Sequence, residues 1–263
     1  MMMKRQSLVM VSALVMMALV VSAGAAEKKA GGRKAKGELQ KSALEWSRAI
    51  DFGAVYTDGN TETTDLSYGF DFGVKNDVNS ARWTLAGLYG EDRDAEGDDV
   101  TKNKVESAIR GEHLLSPRQG LFLTGSYLYD ECADVDYAFM VSPGYVVYLL
   151  KDTDVLELSF EAGPAGVFRR DGDEERNYVT ARVAERFLWA FSKVASLEQT
   201  VEYLPDLGGD ADGDLINGSV TLTSAMTDYL ALKLGATDKY NGAPAEGAEK
   251  NDLAITASLQ VRF

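Results

Sequence analysis

Cysteine and histidine are almost absent from the sequence, which contains only Cys132 and His113. One cysteine cannot form an intramolecular disulfide, so we predict an unpaired thiol, or an intermolecular one, in an outer loop. One residue of each type is too few for a zinc site. His113 and Ser116 are three residues apart, which places them on opposite faces of a strand and disfavours a histidine-activated nucleophile. The sequence therefore predicts no metal, no cofactor and no enzymatic activity.

Long hydrophobic runs are absent after residue 26. No later segment approaches the roughly 20 apolar residues of a membrane helix, so this part of the chain could enter a membrane only as a closed barrel. Positive charge is also scarce: 27 Lys and Arg face 41 Asp and Glu, for a net charge of −14. This acidity argues against a nucleic-acid partner.

Residues 1–26 have the pattern of a secretory signal peptide: Lys4 and Arg5, an apolar stretch over 7–21, and small residues over 22–26. A membrane anchor is the alternative. Cleavage would remove two positive charges and change the net charge from −14 to −14 − 2 = −16. Residues 27–42 are basic and predict a disordered periplasmic lead-in. The alternative is a basic arm that contacts anionic cell-wall polymer or lipid headgroups.

Alternation of apolar and polar residues dominates the rest of the chain, 43–263. In Asn251–Phe263, every second residue from Leu253 to Phe263 is apolar, and most of the residues between them are polar. Side chains of a strand point alternately to opposite faces, so this stretch has one apolar face and one wetter face. Acids and glycines opposite aromatics, as in Asp65–Lys75, favour a membrane barrel over a soluble sandwich or lipocalin-like barrel.

We predict twelve such strands and therefore an all-β, transmembrane, antiparallel up-and-down barrel. Even-numbered connections are short, whereas most odd-numbered ones are longer and acidic, including Glu91–Thr101, Asp130–Asp136 and Arg169–Arg176. Outer-membrane barrels have an even strand number, short periplasmic turns and longer outer loops. The pattern places both termini in the periplasm and the barrel in the outer membrane of a Gram-negative cell. The predicted strands are Leu44–Tyr56, Asp65–Lys75, Arg82–Tyr89, Lys104–His113, Leu121–Tyr129, Tyr137–Leu149, Leu156–Phe168, Asn177–Trp189, Ala195–Tyr203, Ile216–Leu222, Leu230–Ala236 and Asn251–Phe263.

The predicted lumen face carries both signs of charge. Rings of charge tune the selectivity of pores, but opposite charges can also pair across a barrel and plug it. A twelve-stranded barrel lies between filled eight-stranded barrels and open ones of sixteen strands or more. The acid excess predicts cation preference if the barrel conducts. The candidate lumen residues are Glu45, Asp51, Asp65, Asp71, Lys75, Arg82, Glu106, Arg110, Glu112, Glu157, Glu161, Arg182, Arg186, Glu198, Glu202, Lys233 and Arg262.

The sequence resembles a known family through Trp46, the turn formed by Gly59, Asn60, Thr61, Glu62 and Thr63, and a strand that ends at Phe263. This is the YdiY-like family of salt-induced outer membrane proteins, a domain of unknown function, and the similarity covers about 44–263. The resemblance implies an outer-membrane barrel and offers no catalytic residues.

The predicted partners follow from this location. They are outer-membrane lipid, lipopolysaccharide and the barrel-assembly machinery, for which Val261 and Phe263 form the predicted signal.

Three functions stay open at this point. The first is a narrow pore for ions or small solutes, and the second is a non-conducting barrel that supports the envelope or binds a partner. The third and least favoured is an outer-membrane lipid hydrolase, which incubation with labelled phospholipid would test.

Overall fold

A computed structural model describes residues 44–58, 63–92, 99–131, 134–152, 155–207, 213–242 and 250–263. The predicted signal peptide, the basic lead-in, the turn residues Gly59, Asn60 and Thr61, and Cys132 lie outside the described residues. No helix in the described ranges is long and apolar enough to cross a membrane.

The described residues form twelve strands, which confirms the predicted fold. They are β1 (Glu45–Asp58), β2 (Thr63–Lys75), β3 (Asn79–Asp92), β4 (Asp99–Ser116), β5 (Gln119–Asp130), β6 (Val135–Asp152), β7 (Leu156–Asp171), β8 (Glu174–Trp189), β9 (Ala195–Leu204), β10 (Leu215–Ala225), β11 (Leu230–Asn241) and β12 (Asn251–Arg262).

All twelve strands join in one closed antiparallel barrel, in which each pairs with its neighbours in the chain and β1 pairs with β12. This closing seam runs from Ala49 opposite Arg262 to Asp58 opposite Leu253. Closure gives every strand a hydrogen-bonded neighbour on both sides, which is the condition for β-structure in lipid. The pairing of β8 with β9 covers only Val183–Trp189, so the first part of β8 extends past its neighbour.

The alternation of the sequence sorts the side chains between two faces. Phe52, Leu66 and Val179 are exposed on the outer face, whereas Val55 and Arg182 are buried on the inner face. Because successive strand residues point to opposite sides, the apolar set covers the outside of the barrel.

Aromatic side chains cluster at the barrel end that carries the even-numbered connections, which are two to five residues long. Three ring pairs lie there: Trp46 with Phe72, Phe70 with Trp83, and Trp189 with Phe191. Girdles of this kind mark the interface between lipid and water in membrane barrels. We call these residues the aromatic girdle.

The loop prediction for Arg169–Arg176 is wrong. β7 continues to Asp171 and β8 begins at Glu174, so only Gly172 and Asp173 connect them. Gly172 has a φ of 53°, a conformation that glycine adopts readily. Likewise, only residues 131–134 separate β5 from β6. These strands extend beyond the length that a bilayer needs, and in water both faces can be charged, so the alternation disappears there.

Candidate functional site in the barrel lumen

The inner faces of the twelve strands line a lumen that is filled on one side. Phe122 of β5 and Val146 and Tyr148 of β6 form a buried apolar cluster, against which Leu114 of β4 packs. Gly144 leaves room for the Phe122 ring, because a Cβ at that position would lie 2.4 Å from its Cζ atom. We call this group, together with the charged network described next, the filled side of the lumen.

Glu161 of β7 is the centre of the charged network on the filled side and is 1% exposed. Its carboxylate contacts Nη2 of Arg110 at 2.9 Å and Nη1 of Arg182 at 2.9 Å. Arg182 also donates to Glu202, and Arg110 donates to Glu112 at 2.8 Å. The network joins β4, β7, β8 and β9, so it ties one half of the barrel wall together.

The apolar cluster and the charged network contact each other. The guanidinium groups of Arg110 and Arg182 lie 4.7 Å and 5.5 Å from the centre of the Phe122 ring. Both distances are within the range of a cation–π interaction. The Tyr148 hydroxyl donates to Glu112. The filled side is therefore a continuous packed unit rather than a set of separate ion pairs.

Among the described residues, two ion pairs cross the lumen between distant strands. Arg82 of β3 pairs with its neighbour Asp71 at 2.6 Å and reaches Glu198 of β9 at 3.4 Å. β3 and β9 are six positions apart in a ring of twelve and so stand on opposite walls. Lys239 of β11 pairs with Glu106 of β4, five positions away in the ring. We call these two contacts the cross-lumen bridges.

A cavity of about 330 Å³ occupies the side formed by β1–β4 and β10–β12. Both cross-lumen bridges contribute residues to its lining. Within it, Lys233 pairs with Asp51 at 3.1 Å, and Gln260 donates to Asp51 at 3.1 Å. Charged residues, small hydroxyl residues, and apolar or aromatic residues that include Val55, Phe70 and Leu88 line the rest. The hydroxyl residues are Ser67, Thr84, Thr221, Thr237, Thr256 and Ser258, and the charged residues are Asp51, Asp71, Glu106, Asp252, Arg82, Lys104, Lys233 and Lys239.

The remaining predicted lumen residues lie on the inner face outside the bridges. Glu45 and Lys75 pair at 3.1 Å near the girdle end, where their side chains are 70% and 67% exposed. Arg186 lies 3.9 Å from Glu161 and 3.7 Å from Glu198, between the filled side and the first bridge. Asp65 is buried. Arg262 donates to Gln260, and Glu157 is paired in register with Leu188.

Sequence reasoning missed the apolar cluster and Lys239. Alternation places the hydroxyl residues on the inner face, but they were not named as candidates. The sequence contains two continuous apolar runs, Leu121-Phe122-Leu123 and Tyr145–Leu150. Because neighbouring residues of a strand point to opposite faces, these runs indicate that some apolar side chains point into the lumen. The partners across the lumen left no sign, because alternation assigns a face but not the opposite wall.

His113 lies on the outer face near the girdle, with its Nδ1 atom 2.8 Å from Oδ1 of Asn79. The Ser116 hydroxyl accepts instead from the backbone N–H of Arg118 at 3.4 Å. The described residues therefore contain no contact between this histidine and a serine. Nor do they contain a group of three or more metal-ligating side chains.

Comparison with known proteins gives one family and a set of similar folds. The family model "Protein of unknown function, DUF481" matches residues 50–263. No curated protein matches the sequence.

The solved structures that are similar are distant in sequence. The NanC porin is 9% identical, covering 81% of this chain and 100% of that chain with a TM-score of 0.50. An outer membrane channel from Pseudomonas putida F1 is 10% identical, covering 88% and 100% with a TM-score of 0.49. The outer membrane phospholipase of Salmonella typhi is 9% identical, covering 87% and 94% with a TM-score of 0.47. At such low identity, the likeness shows the fold alone.

Proposed function

The chain belongs to the DUF481 family, which is the YdiY-like family predicted from its sequence, and from this premise we propose that it forms a narrow outer-membrane passage for ions or small polar solutes. The cavity of about 330 Å³ carries the proposal. It lies inside a closed barrel whose outer face is mostly apolar, and eight charged side chains, four of each sign, line it together with hydroxyl and apolar residues. Charged side chains inside the barrel and an apolar exterior are the arrangement of a water-filled channel in a membrane barrel.

The passage runs beside the filled side of the lumen, along the walls formed by β1–β4 and β10–β12. Its width is limited by Arg82 with Glu198 and by Glu106 with Lys239, the two cross-lumen bridges. A solute that moves through the barrel has to pass these ion pairs. We therefore propose small conductance rather than the wide aqueous channel of a sixteen-stranded porin.

The cross-lumen bridges also favour a second candidate function, a barrel that does not conduct. Ion pairs between opposite walls, added to the packed filled side, stabilise a closed lumen. In that case the protein would support the envelope or bind a partner through its outer loops.

Single-channel recording of refolded protein in planar bilayers tests both functions. We expect the native protein to give small conductance steps, and we expect Arg82→Ala combined with Lys239→Ala to enlarge them, since each substitution removes one bridge. Lys75→Ala is the matched control, because its partner Glu45 is at the mouth and on the neighbouring strand. Absence of steps in the native protein together with steps in the double variant would favour the non-conducting barrel. Absence of steps in both would overturn the passage.

Cation preference is a finer part of the proposal. The cavity itself is balanced, with four acidic and four basic side chains, so the preference would arise from the acidity of the whole chain, whose net charge is −14. We expect the reversal potential in a KCl gradient to have the sign that indicates a higher permeability for K⁺ than for Cl⁻. Because salt screens charges over about 8 Å at physiological ionic strength, the preference should weaken as the salt concentration rises. Anion flow in dilute salt would contradict it.

A further inference from the structure

The outer face of β8 carries a carboxylate, Glu185. The neighbours of the same parity on this strand are Val183, which is exposed, and Phe187. In the register of the sheet, Glu185 is opposite Phe160 of β7 and Val201 of β9, both of which are exposed outer-face residues. Four apolar side chains of the lipid-facing surface therefore surround this carboxylate.

Glu185 lies inside the apolar band and not at its rim. It precedes the girdle residue Trp189 by four positions on β8. With a rise of about 3.3 Å per residue and a strand tilt of about 40°, four residues span about 10 Å along the membrane normal. The apolar band of such barrels is about 25 Å tall. Arg48, by contrast, pairs in register with the girdle residue Phe72 and so stays near the rim.

One polar side chain accompanies Glu185. Gln199 of β9 has outer-face parity and donates from Nε2 to Oε2 of Glu185 at 3.3 Å. In the part of the chain that is described, neither side chain has another hydrogen-bond partner. The amide keeps a second N–H and its carbonyl oxygen, and the carboxylate keeps a second oxygen. The hydrocarbon of the lipid has no hydrogen-bond donor or acceptor for these groups. Polar groups placed in a membrane generally mark a functional contact.

We infer that the outer surface around Glu185 and Gln199 is the interface of a dimer of this chain. An interface with two-fold symmetry uses the same patch on both copies, so the patch must complement itself. This one does, because it offers amide donors beside carboxylate acceptors. A two-fold axis along the membrane normal keeps each residue at its depth. Because Glu185 and Gln199 are in contact within one copy and so lie at similar depth, Glu185 of one copy can meet Gln199 of the second copy.

The chemistry favours a second copy over lipid as the occupant. Acyl chains would cover Val183, Phe160 and Val201 as well as a protein surface does, so apolar contact alone does not drive association in lipid. Polar side chains that find partners across an interface do drive it. The inference is independent of the proposed passage, since the lumen of each copy lies on the other side of the barrel wall.

Cross-linking in lipid vesicles tests the interface directly. In a Cys132→Ser background, Val183→Cys places a thiol next to Glu185, and Leu234→Cys places one on β11. The native side chains at these positions are 46% and 45% exposed, so the two thiols are matched in accessibility. A short membrane-permeant bismaleimide should give covalent dimers with Val183→Cys but not with Leu234→Cys. Equal cross-linking at both positions would overturn the interface, as would preferential cross-linking through Leu234→Cys.

Sedimentation equilibrium in density-matched detergent supplies the second measurement. Glu185→Leu combined with Gln199→Leu should raise the dimer dissociation constant about tenfold or more, the change expected from losing one or two membrane hydrogen bonds. Arg48→Leu, which removes an outer-face charge from β1, should leave it unchanged. Heat-dependent mobility on SDS gels verifies that each variant folds. A native protein that stays monomeric at every protein-to-detergent ratio would overturn the inference, and so would a double variant that dimerises normally.

Discussion

Glu161 is a buried carboxylate, and its contribution to the stability of the barrel depends on the arginine residues that contact it. Its carboxylate is held by Arg110 and Arg182, and both guanidinium groups also face the Phe122 ring. The sequence placed Glu161, Arg110 and Arg182 on the inner face through alternation. It could not place Phe122 among them, because the triplet Leu121-Phe122-Leu123 is apolar at both parities and only the three-dimensional contact shows which side chain turns inward.

Substitution of Glu161 should therefore be costly. Glu161→Ala leaves Arg110 and Arg182 buried without their shared acceptor, and removing one member of a buried ion pair costs about 3–5 kcal/mol. Equilibrium unfolding in urea from lipid vesicles measures the loss. Glu45→Ala is the matched control: its pair with Lys75 is largely exposed, so the cost should be about 1 kcal/mol or less. Equal losses in the two variants would contradict the role given to the network.

At the scale of the strand, the closing seam between β1 and β12 depends on a close approach. A Cβ at Gly53 would lie 2.2 Å from the carbonyl oxygen of Ala257 and 2.6 Å from Cβ of Ser258. A Cβ at Gly111 of β4 would meet nothing within 4 Å. The two glycines therefore differ in their tolerance of a side chain.

We expect Gly53→Ala to destabilise the barrel by about 1–3 kcal/mol, because the backbone at the seam must shift to admit the methyl group. Gly111→Ala should be neutral or stabilise the barrel by about 0.4–1 kcal/mol through the unfolded chain. The midpoint of urea unfolding and the fraction of heat-modifiable protein on SDS gels compare the variants. A Gly53→Ala protein as stable as the native one would show that the seam opens more easily than its geometry indicates.

The strands were the part of the fold that the sequence predicted best. In β12, Leu253 to Val261 alternate with polar residues because one face meets lipid and the other meets the lumen, and that physical contrast repeats around the barrel. The prediction failed at Arg169–Arg176, where both faces of the β7–β8 hairpin meet water and no contrast exists. The alternation of apolar and polar residues arises only where one face of a strand contacts lipid. It therefore cannot predict where a strand ends outside the bilayer.

For the molecule as a whole, orientation in the envelope is the property to test. The even-numbered connections, all of two to five residues, and the aromatic girdle belong to the same end of the barrel, and we predict that this end faces the periplasm. A peptide tag inserted in the connection over 243–249 should be accessible to antibody on intact cells. The same tag inserted at 76–78, in the short turn between β2 and β3, should be accessible only after the outer membrane is permeabilised.

Two outcomes would contradict this orientation or the location itself. Labelling of the 76–78 tag on intact cells would reverse the orientation. Recovery of the protein in the aqueous extract after osmotic shock, instead of the envelope fraction, would contradict the membrane location.

The whole-molecule features were also the least predictable from sequence. Arg82 and Glu198, which meet across the lumen, are 116 residues apart in the chain, and Glu106 and Lys239 are 133 residues apart. Alternation places each of these residues on the inner face, but the contact depends on barrel diameter, strand tilt and stagger, which no single strand specifies. The division of the lumen into a filled side and a cavity follows from these long-range contacts.

Pairing of β1 with β12 also has a consequence for synthesis. The ribosome makes β1 early and β12 more than 190 residues later, since β1 ends at Asp58 and β12 begins at Asn251. A translation product that ends before β12 would have two strand edges, on β1 and β11, with unpaired backbone amide and carbonyl groups. Lipid hydrocarbon cannot form hydrogen bonds with these groups. We therefore expect such a fragment to be unstable in the bilayer and more sensitive to proteases than the closed barrel. The barrel therefore cannot close until the last strand has been made.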